Sequence, residues 1–489
     1  MLDRLPVEVL LHCLSYLSKK DQLECLRANK PTYNAIQTSG VIHESITITT
    51  LDDFADMHAF FTKHKKLGKL VKKLHLSEIA LDVYTLMTLP ALLPHVKDFA
   101  YINTRRPQRD YDDKEVCKAF KPWAATLDSL QEFGSPVVAF SLLAHAACPR
   151  LKNLSLSLVG TDDEERKFVL YDYLKHCPNV RLLDLKYINT TVEHMEKIHT
   201  HLPNLQVLLL TQVGLPLGNF KGSPSQHAEK METLFLDEFT TLSDINPWLT
   251  YMSKKYRNLK NLYFGKAEDM YNERVVYTDT HGLVKLIKQL PKLEFYGTTC
   301  FKMTPAVIKA IDDTGIQLKK IELGYFADEG FKLLMKSQQI HSLTSLTISD
   351  TSYEGMTFRG EKKLLKALSE IKHLKHLRIN QSKEEVDNPC GNRVPLDDLL
   401  ASVPLLESMQ MDFLTLVVKR KTKTPFDSNV KKLVLEECTV EALALKGQED
   451  EEEEPKELLQ TLLPNTYIEY RELDDTPPME EYSDLLQFK

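Results

Sequence analysis

At 489 residues the chain is too long for one compact core, unless repetition draws that core out or it is split into domains. Its 43% hydrophobic and 27% charged residues are those of an ordinary folded protein, and a net charge of −7 argues against nucleic acid as the main partner. No apolar run approaches the roughly 18 residues needed to cross a bilayer, and Met1-Leu2-Asp3-Arg4 opens with an early acid rather than a signal peptide.

The chain begins with a short amphipathic helix over residues 5–17. Pro6 suits a first turn, where its missing N–H is not needed, and Glu8 sits near the positive end of the helix dipole. Val9, Leu10, Cys13, Leu14 and Leu17 form an apolar stripe at helical spacing. Ser18-Lys19-Lys20-Asp21 breaks the helix, and Asp21 caps a second one carrying Leu23, Cys25 and Leu26. A third segment surrounds Pro31, Tyr33 and Ile36. Two or three such helices cannot make a good core alone, so their surplus apolar surface calls for the rest of the chain, another protein, or both.

A different pattern then takes over. Ile46-Thr47-Ile48-Thr49 alternates and is β-branched, which predicts a strand. From there one phrase recurs: an apolar residue, two variable ones, an apolar residue, one variable, an apolar residue. Copies are Val71/Leu74/Leu76, Val96/Phe99/Tyr101, Leu151/Leu154/Leu156, Val180/Leu183/Leu185, Leu205/Leu208/Leu210 and Met231/Leu234/Leu236. They continue at Leu259/Leu262/Phe264, Leu290/Leu293/Phe295, Leu318/Ile321/Leu323, Leu343/Leu346/Ile348, Leu374/Leu377/Ile379, Leu406/Met409/Met411 and Val430/Leu433/Leu435. A poor copy, Leu127/Leu130/Phe133, fills a gap. Most spacings are about 24 to 32 residues, and units of that size bury their apolar faces only by stacking. Leu-x-Leu marks a short strand, and the intervening segments have helical spacing, as at residues 171–176, 192–201 and 283–290. Several end on proline before the next strand, at Pro149, Pro178, Pro203 and Pro291. The expectation is an α/β solenoid, a horseshoe with parallel strands on the concave side and helices on the convex side.

The ending of a helix in Cys-Pro or Leu-Pro before a Leu-rich phrase resembles leucine-rich-repeat proteins of the F-box kind. Leu5-Pro6-x-Glu8-Val9-Leu10, Cys13-Leu14, Leu17, and Asp21 followed by Leu23 are similar to an F-box over about residues 2 to 36. Cys13 stands where that family has an aliphatic residue, and Thr32-Tyr33 where a tryptophan is usual. The resemblance implies that Leu5, Pro6, Val9, Leu10, Cys13, Leu14, Leu17 and Leu23 dock on a Skp-family adaptor. Through it the chain would join a cullin, while the repeats capture a client for ubiquitin transfer. The other reading of these helices is a cap on the solenoid.

The domain plan is an F-box at 1–40, repeats at 41–474 and a tail at 475–489. The acidic run at 448–454 is read as an insertion in the helical part of the last repeat, between helix-like pieces at 440–445 and 458–463; Tyr467–Tyr470 is the closing strand. The basic run Lys63 to Lys73 reads as a solvated helix end and loop, with a nuclear signal or an acidic contact as the alternative, and Lys419 to Lys423 as a solvated loop, with a nuclear signal as the alternative. The eight cysteines include no CxxC pair and read as reduced thiols of a cytoplasmic or nuclear protein.

Residues between the last two apolar positions of each phrase should line the concave face. They include Phe235, Tyr263 and Glu294, and the following residues include Asp237 and Tyr296. Phe235, Tyr263 and Tyr296, with Asp184, Asp237, Glu294 and Glu322 around them, form a candidate client patch for a basic, partly apolar segment. The alternative is that these aromatics pack against one another or against rim loops. No HExxH, GxSxG or GxGxxG occurs, so no catalysis, cofactor or metal is expected. A scaffold acting outside a ubiquitin ligase and a GTPase-activating repeat protein are the competing classes.

Overall fold

A computed structural model describes residues 44–103, 111–134, 136–159, 164–216, 224, 226–241, 244–269, 274–324, 327–349, 361–380, 393–419, 425, 428–443 and 455–471. The F-box helices, the acidic run 448–454 and the tail 475–489 lie outside them. The chain divides into two compact units, Met1–Ser243 and Asp244–Lys489.

In the first unit the strands are β1 Ser45–Ile48, β2 Lys73–Ser77, β3 Asp98–Ile102, β4 Ser129–Phe133, β5 Asn153–Ser157, β6 Leu182–Asn189, β7 Val207–Gly214 and β8 Thr233–Asp237, with a two-residue β9 at Phe239–Thr240. From β1 to β8 each strand pairs in parallel with the next. One slot of the repeat runs Leu74, Phe99, Leu130, Leu154, Leu183, Leu208, Leu234 in register. All seven are buried against the helices. Parallel neighbours need a crossover, and helices such as Val83–Leu92, Asp113–Ala124 and Val192–His201 supply it. Phe99 of β3 packs on Phe120 and Trp123 of helix Asp113–Ala124, and the indole N–H of Trp123 donates to the Leu93 carbonyl at 2.8 Å.

The poor copy at β4 has a physical explanation. Its last inward position is Glu132, not Phe133: Glu132 aligns with Tyr101 and Leu156. The carboxylate is wholly buried and accepts from the backbone N–H groups of Val138 (3.1 Å) and Ala139 (2.8 Å). The helix Val137–His145 starts after Pro136, which gives no side-chain cap, so Glu132 caps it from the preceding strand. Burial nevertheless pushes the carboxyl up to about 7, against the pull of those amides.

In the second unit the main strands are β10 Asn261–Phe264, β13 Phe295–Thr298, β14 Lys320–Leu323, β15 Ser345–Ser349, β16 His376–Asn380, β18 Ser408–Asp412, β20 Lys432–Glu436 and β22 Tyr467–Arg471, again a parallel ladder. The short β11 Ala267–Glu268 and β12 Arg274–Val275 pair antiparallel. A second parallel ladder joins β17 Arg393–Pro395, β19 Thr415–Lys419 and β21 Thr439–Leu443. Two expectations are thereby corrected. Residues 439–443 are a strand rather than a helix, and Lys419 ends a strand rather than lying in a loop. Thr439 and Val440 are β-branched and have a ready partner in Thr415–Lys419, so pairing overrides the helical spacing.

A recurrent corner follows the main-sheet strands of both units. Glu78, Tyr187, Gln212, Glu238, Phe413 and Glu437 all take left-handed φ angles of 47 to 61°. Each follows the same register position, as Lys186, Thr211 and Asp237 show in the first unit and Asp412 and Glu436 in the second. Side-chain-bearing residues adopt this conformation at a cost of about 1 kcal/mol or more. It is retained because the chain must turn there, from the main sheet into the next pairing.

Candidate functional site

The strand face away from the helices is the open face of each unit. In the first unit its central row is His75, Ala100, Gln131, Ser155, Asp184, Leu209, Phe235. Phe235 is only 4% exposed, so it is not the exposed aromatic anchor expected. Asp237, two residues on, is partly exposed and accepts from the Glu238 N–H. Asp184 is 3% exposed and its Oδ1 has no hydrogen-bond partner. Burial pushes its carboxyl up to about 6, while the charge of Lys186 and the Ser155 hydroxyl pull the other way. The Lys186 ammonium lies 5.1 Å from the centre of the Phe133 ring.

In the second unit the row is Tyr263, Gly297, Glu322, Thr347, Arg378, Gln410, Val434, Glu469. Here the expected phase of one strand is corrected. Tyr296 aligns with Leu262 and Ile321, the inward slot, and is fully buried. The phrase at this strand is Leu293, Tyr296, Thr298 rather than Leu290, Leu293, Phe295. Apolar spacing misled because Thr298 fills the last inward slot, where its hydroxyl accepts from the Phe301 N–H at 2.9 Å. The shift also moves Glu294 off the open face. It precedes β13 on the rim, half exposed, and pairs with Lys319 at 2.7 Å.

Tyr263 and Glu322 do come together. They flank Gly297, and the Tyr263 hydroxyl donates to Glu322 Oε1 at 3.4 Å. A Cβ on Gly297 would fall 2.6 Å from Tyr263 Cδ2, so the glycine is what lets the ring lie across the strand. Tyr263 also stacks on Phe295, with 6.3 Å between centroids, and the Lys320 ammonium sits 4.9 Å from the Phe295 ring centre. Tyr263 thus packs on an aromatic of the adjacent strand.

Further along lies a polar network that no apolar pattern marks. Arg378 Nε donates to Asp412 Oδ2 at 2.9 Å, and Gln410 Nε2 to Asp412 Oδ1 at 3.1 Å, with the Asp412 side chain 1% exposed. Glu469 bridges Lys432 and Arg471 at 3.3 and 2.8 Å, which hold it below the usual carboxylate range. Only the register reveals these pairs, since the partners are separated by as much as a whole repeat.

Among the described residues no three His, Cys, Asp or Glu side chains gather to hold a metal ion, and no helix is long and apolar enough to cross a membrane. Cys117, Cys148, Cys177, Cys300 and Cys438 are free thiols. Leu5, Pro6, Val9, Leu10, Cys13, Leu14, Leu17 and Leu23 fall outside the described residues.

Residues 2–43 match the family model described as F-box domain. No curated protein matches the chain. Among solved structures it is similar to a chain from the crystal structure of the Rad7 and Elc1 complex in yeast: TM-score 0.39, 12% identity, 87% of this chain and 90% of that one covered. It is also similar to an internalin (inlF) from Listeria monocytogenes, with TM-score 0.31, 13% identity, and 87% and 95% covered. A third is the TLR13–ssRNA13 complex, with TM-score 0.37 and 14% identity; 85% of this chain is covered, and it spans 65% of that one.

Proposed function

From an F-box domain at residues 2–43 set directly before parallel leucine-rich-repeat units, we propose that this F-box/leucine-rich-repeat protein is the substrate-recognition subunit of an SCF-type ubiquitin ligase. The F-box docks on a Skp-family adaptor through Leu5, Pro6, Val9, Leu10, Cys13, Leu14, Leu17 and Leu23. The adaptor links it to a cullin, and the repeats hold a protein client. The subunit itself makes and breaks no bonds; it raises the effective concentration of the client beside the transfer machinery.

The observation that carries this reading is the F-box match ahead of the repeats. The open face of the second unit supports a client site with Tyr263 and Glu322 at its centre, since both remain partly exposed while held in place by Gly297 and Phe295. Burial removes Tyr296 and Phe235 from it, and the ion pair with Lys319 sets Glu294 on the rim. Asp237 belongs to the first unit, where it stays a candidate by its partial exposure.

The test is co-purification with a Skp-family adaptor and a cullin, comparing the intact chain with one lacking residues 1–40. The expected result is loss of both partners on truncation, with repeat helicity retained. An intact chain that never retains the adaptor would overturn the reading. Adaptor without cullin would leave a scaffold outside the ligase.

A further inference from the structure

A basic cavity lies on the helical side of the first unit, away from the open face. The helix Asp113–Ala124 presents Lys114, Lys118 and Lys121 at intervals of four and three residues, which places them on one face. His145, the last residue of the neighbouring helix Val137–His145, faces the same space. Together they line a cavity of about 590 Å³, with a floor of small residues such as Ala124 and Ala146. That volume falls within the usual range of ligand sites.

No acidic side chain lines the cavity. Some exposed cations of this unit are matched: Arg150 and Lys152 with Asp128, and Lys197 with Asp172. Lys114, Lys118 and Lys121 have no such partner among the described residues. The carbonyl ends of the two helices bring about half a negative charge each to the floor, less than the lysines bring. At 1.5 Å per residue the lysine row is about 10 Å long, the reach of about three residues of extended chain. A row suits a strand of acidic side chains better than a single compact anion.

We propose that this cavity binds an acidic peptide segment in extended form, its carboxylates set against Lys114, Lys118 and Lys121. The site is separate from the client face and does not depend on adaptor binding.

The experiment uses the full chain and a fluorescein-labelled deca-glutamate peptide, read by anisotropy at low salt. Binding should weaken about tenfold or more in the triple variant Lys114→Glu, Lys118→Glu, Lys121→Glu. All three side chains are exposed, so the fold should survive; a Lys→Gln triple variant covers the case where it does not. Ala147→Trp, which fills the cavity without changing its charge, should also weaken binding. Reversal of Lys63, Lys65 and Lys66, an exposed basic run outside the cavity, should leave it within about twofold. No binding by the intact chain, equal binding by the Gln variant, or an equal loss from the Lys63 reversal would each overturn the proposal.

Discussion

Both units place a carboxylate on the open face where water hardly reaches, and they treat it differently. In the second, Asp412 accepts from Arg378 and Gln410. In the first, Asp184 keeps one oxygen without a partner while Lys186 reaches toward the Phe133 ring. The repeat sets where side chains point in both units. What differs is whether a neighbouring strand brings a cation to the right diagonal: Arg378 is set against Asp412, whereas burial pushes Asp184 toward its neutral form.

The largest effect is expected from breaking the paired side of this comparison. Arg378→Ala strands the Asp412 carboxylate, and should cost about 3 kcal/mol of stability in urea unfolding at pH 7.5. The counterpart Asp184→Asn should cost little or stabilise at that pH, because it removes a charge that burial disfavours. Equal losses in the two variants would break the distinction.

The next effect is a pH dependence of the first unit. Glu132 has its folded carboxyl raised from an ordinary 4.5 to about 7. A raised carboxyl binds its proton more tightly in the folded state, so stability falls as pH rises from about 4.5 to 7, by roughly 3 kcal/mol. Glu132→Gln should flatten that slope; the same slope in the variant would show that Glu132 is not its source. Asp184 adds a smaller fall between its ordinary 3.8 and about 6.

Gly297→Ala should displace the Tyr263 ring and cost about 1 to 2 kcal/mol. On the client reading it should also weaken capture, with Tyr263 fluorescence or client binding as the readout. The smallest effect is at the rim. Lys375 and Lys431 hold Glu407 far down the carboxylate range, yet all three are open to water. Glu407→Gln should unfold at the wild-type urea concentration, because exposed pairs are screened.

Twelve of the repeat phrases could be read from spacing alone and pair as expected. The misses share one cause: a polar residue in an inward slot. Glu132 and Thr298 are each satisfied there, by two helix amides and by the Phe301 N–H. An apolar pattern slides past such a position to the nearest hydrophobe, Phe133 in one case and Phe295 in the other. A slip of one residue reverses every side chain of a strand, so apolar spacing puts Tyr296 on the open face although its register is inward.

The sequence by itself determined the repeat, its parallel strands and crossover helices, because each is written in local spacing, while the F-box at residues 2–43 is marked by its resemblance to that family. Tertiary structure decided which side chains meet across strands. Arg378 and Asp412 are 34 residues apart, and Tyr263 and Glu322 59 apart. Such pairs depend on register and on what lies between them, here Gly297 and Gln410, and no periodicity within one repeat carries that information.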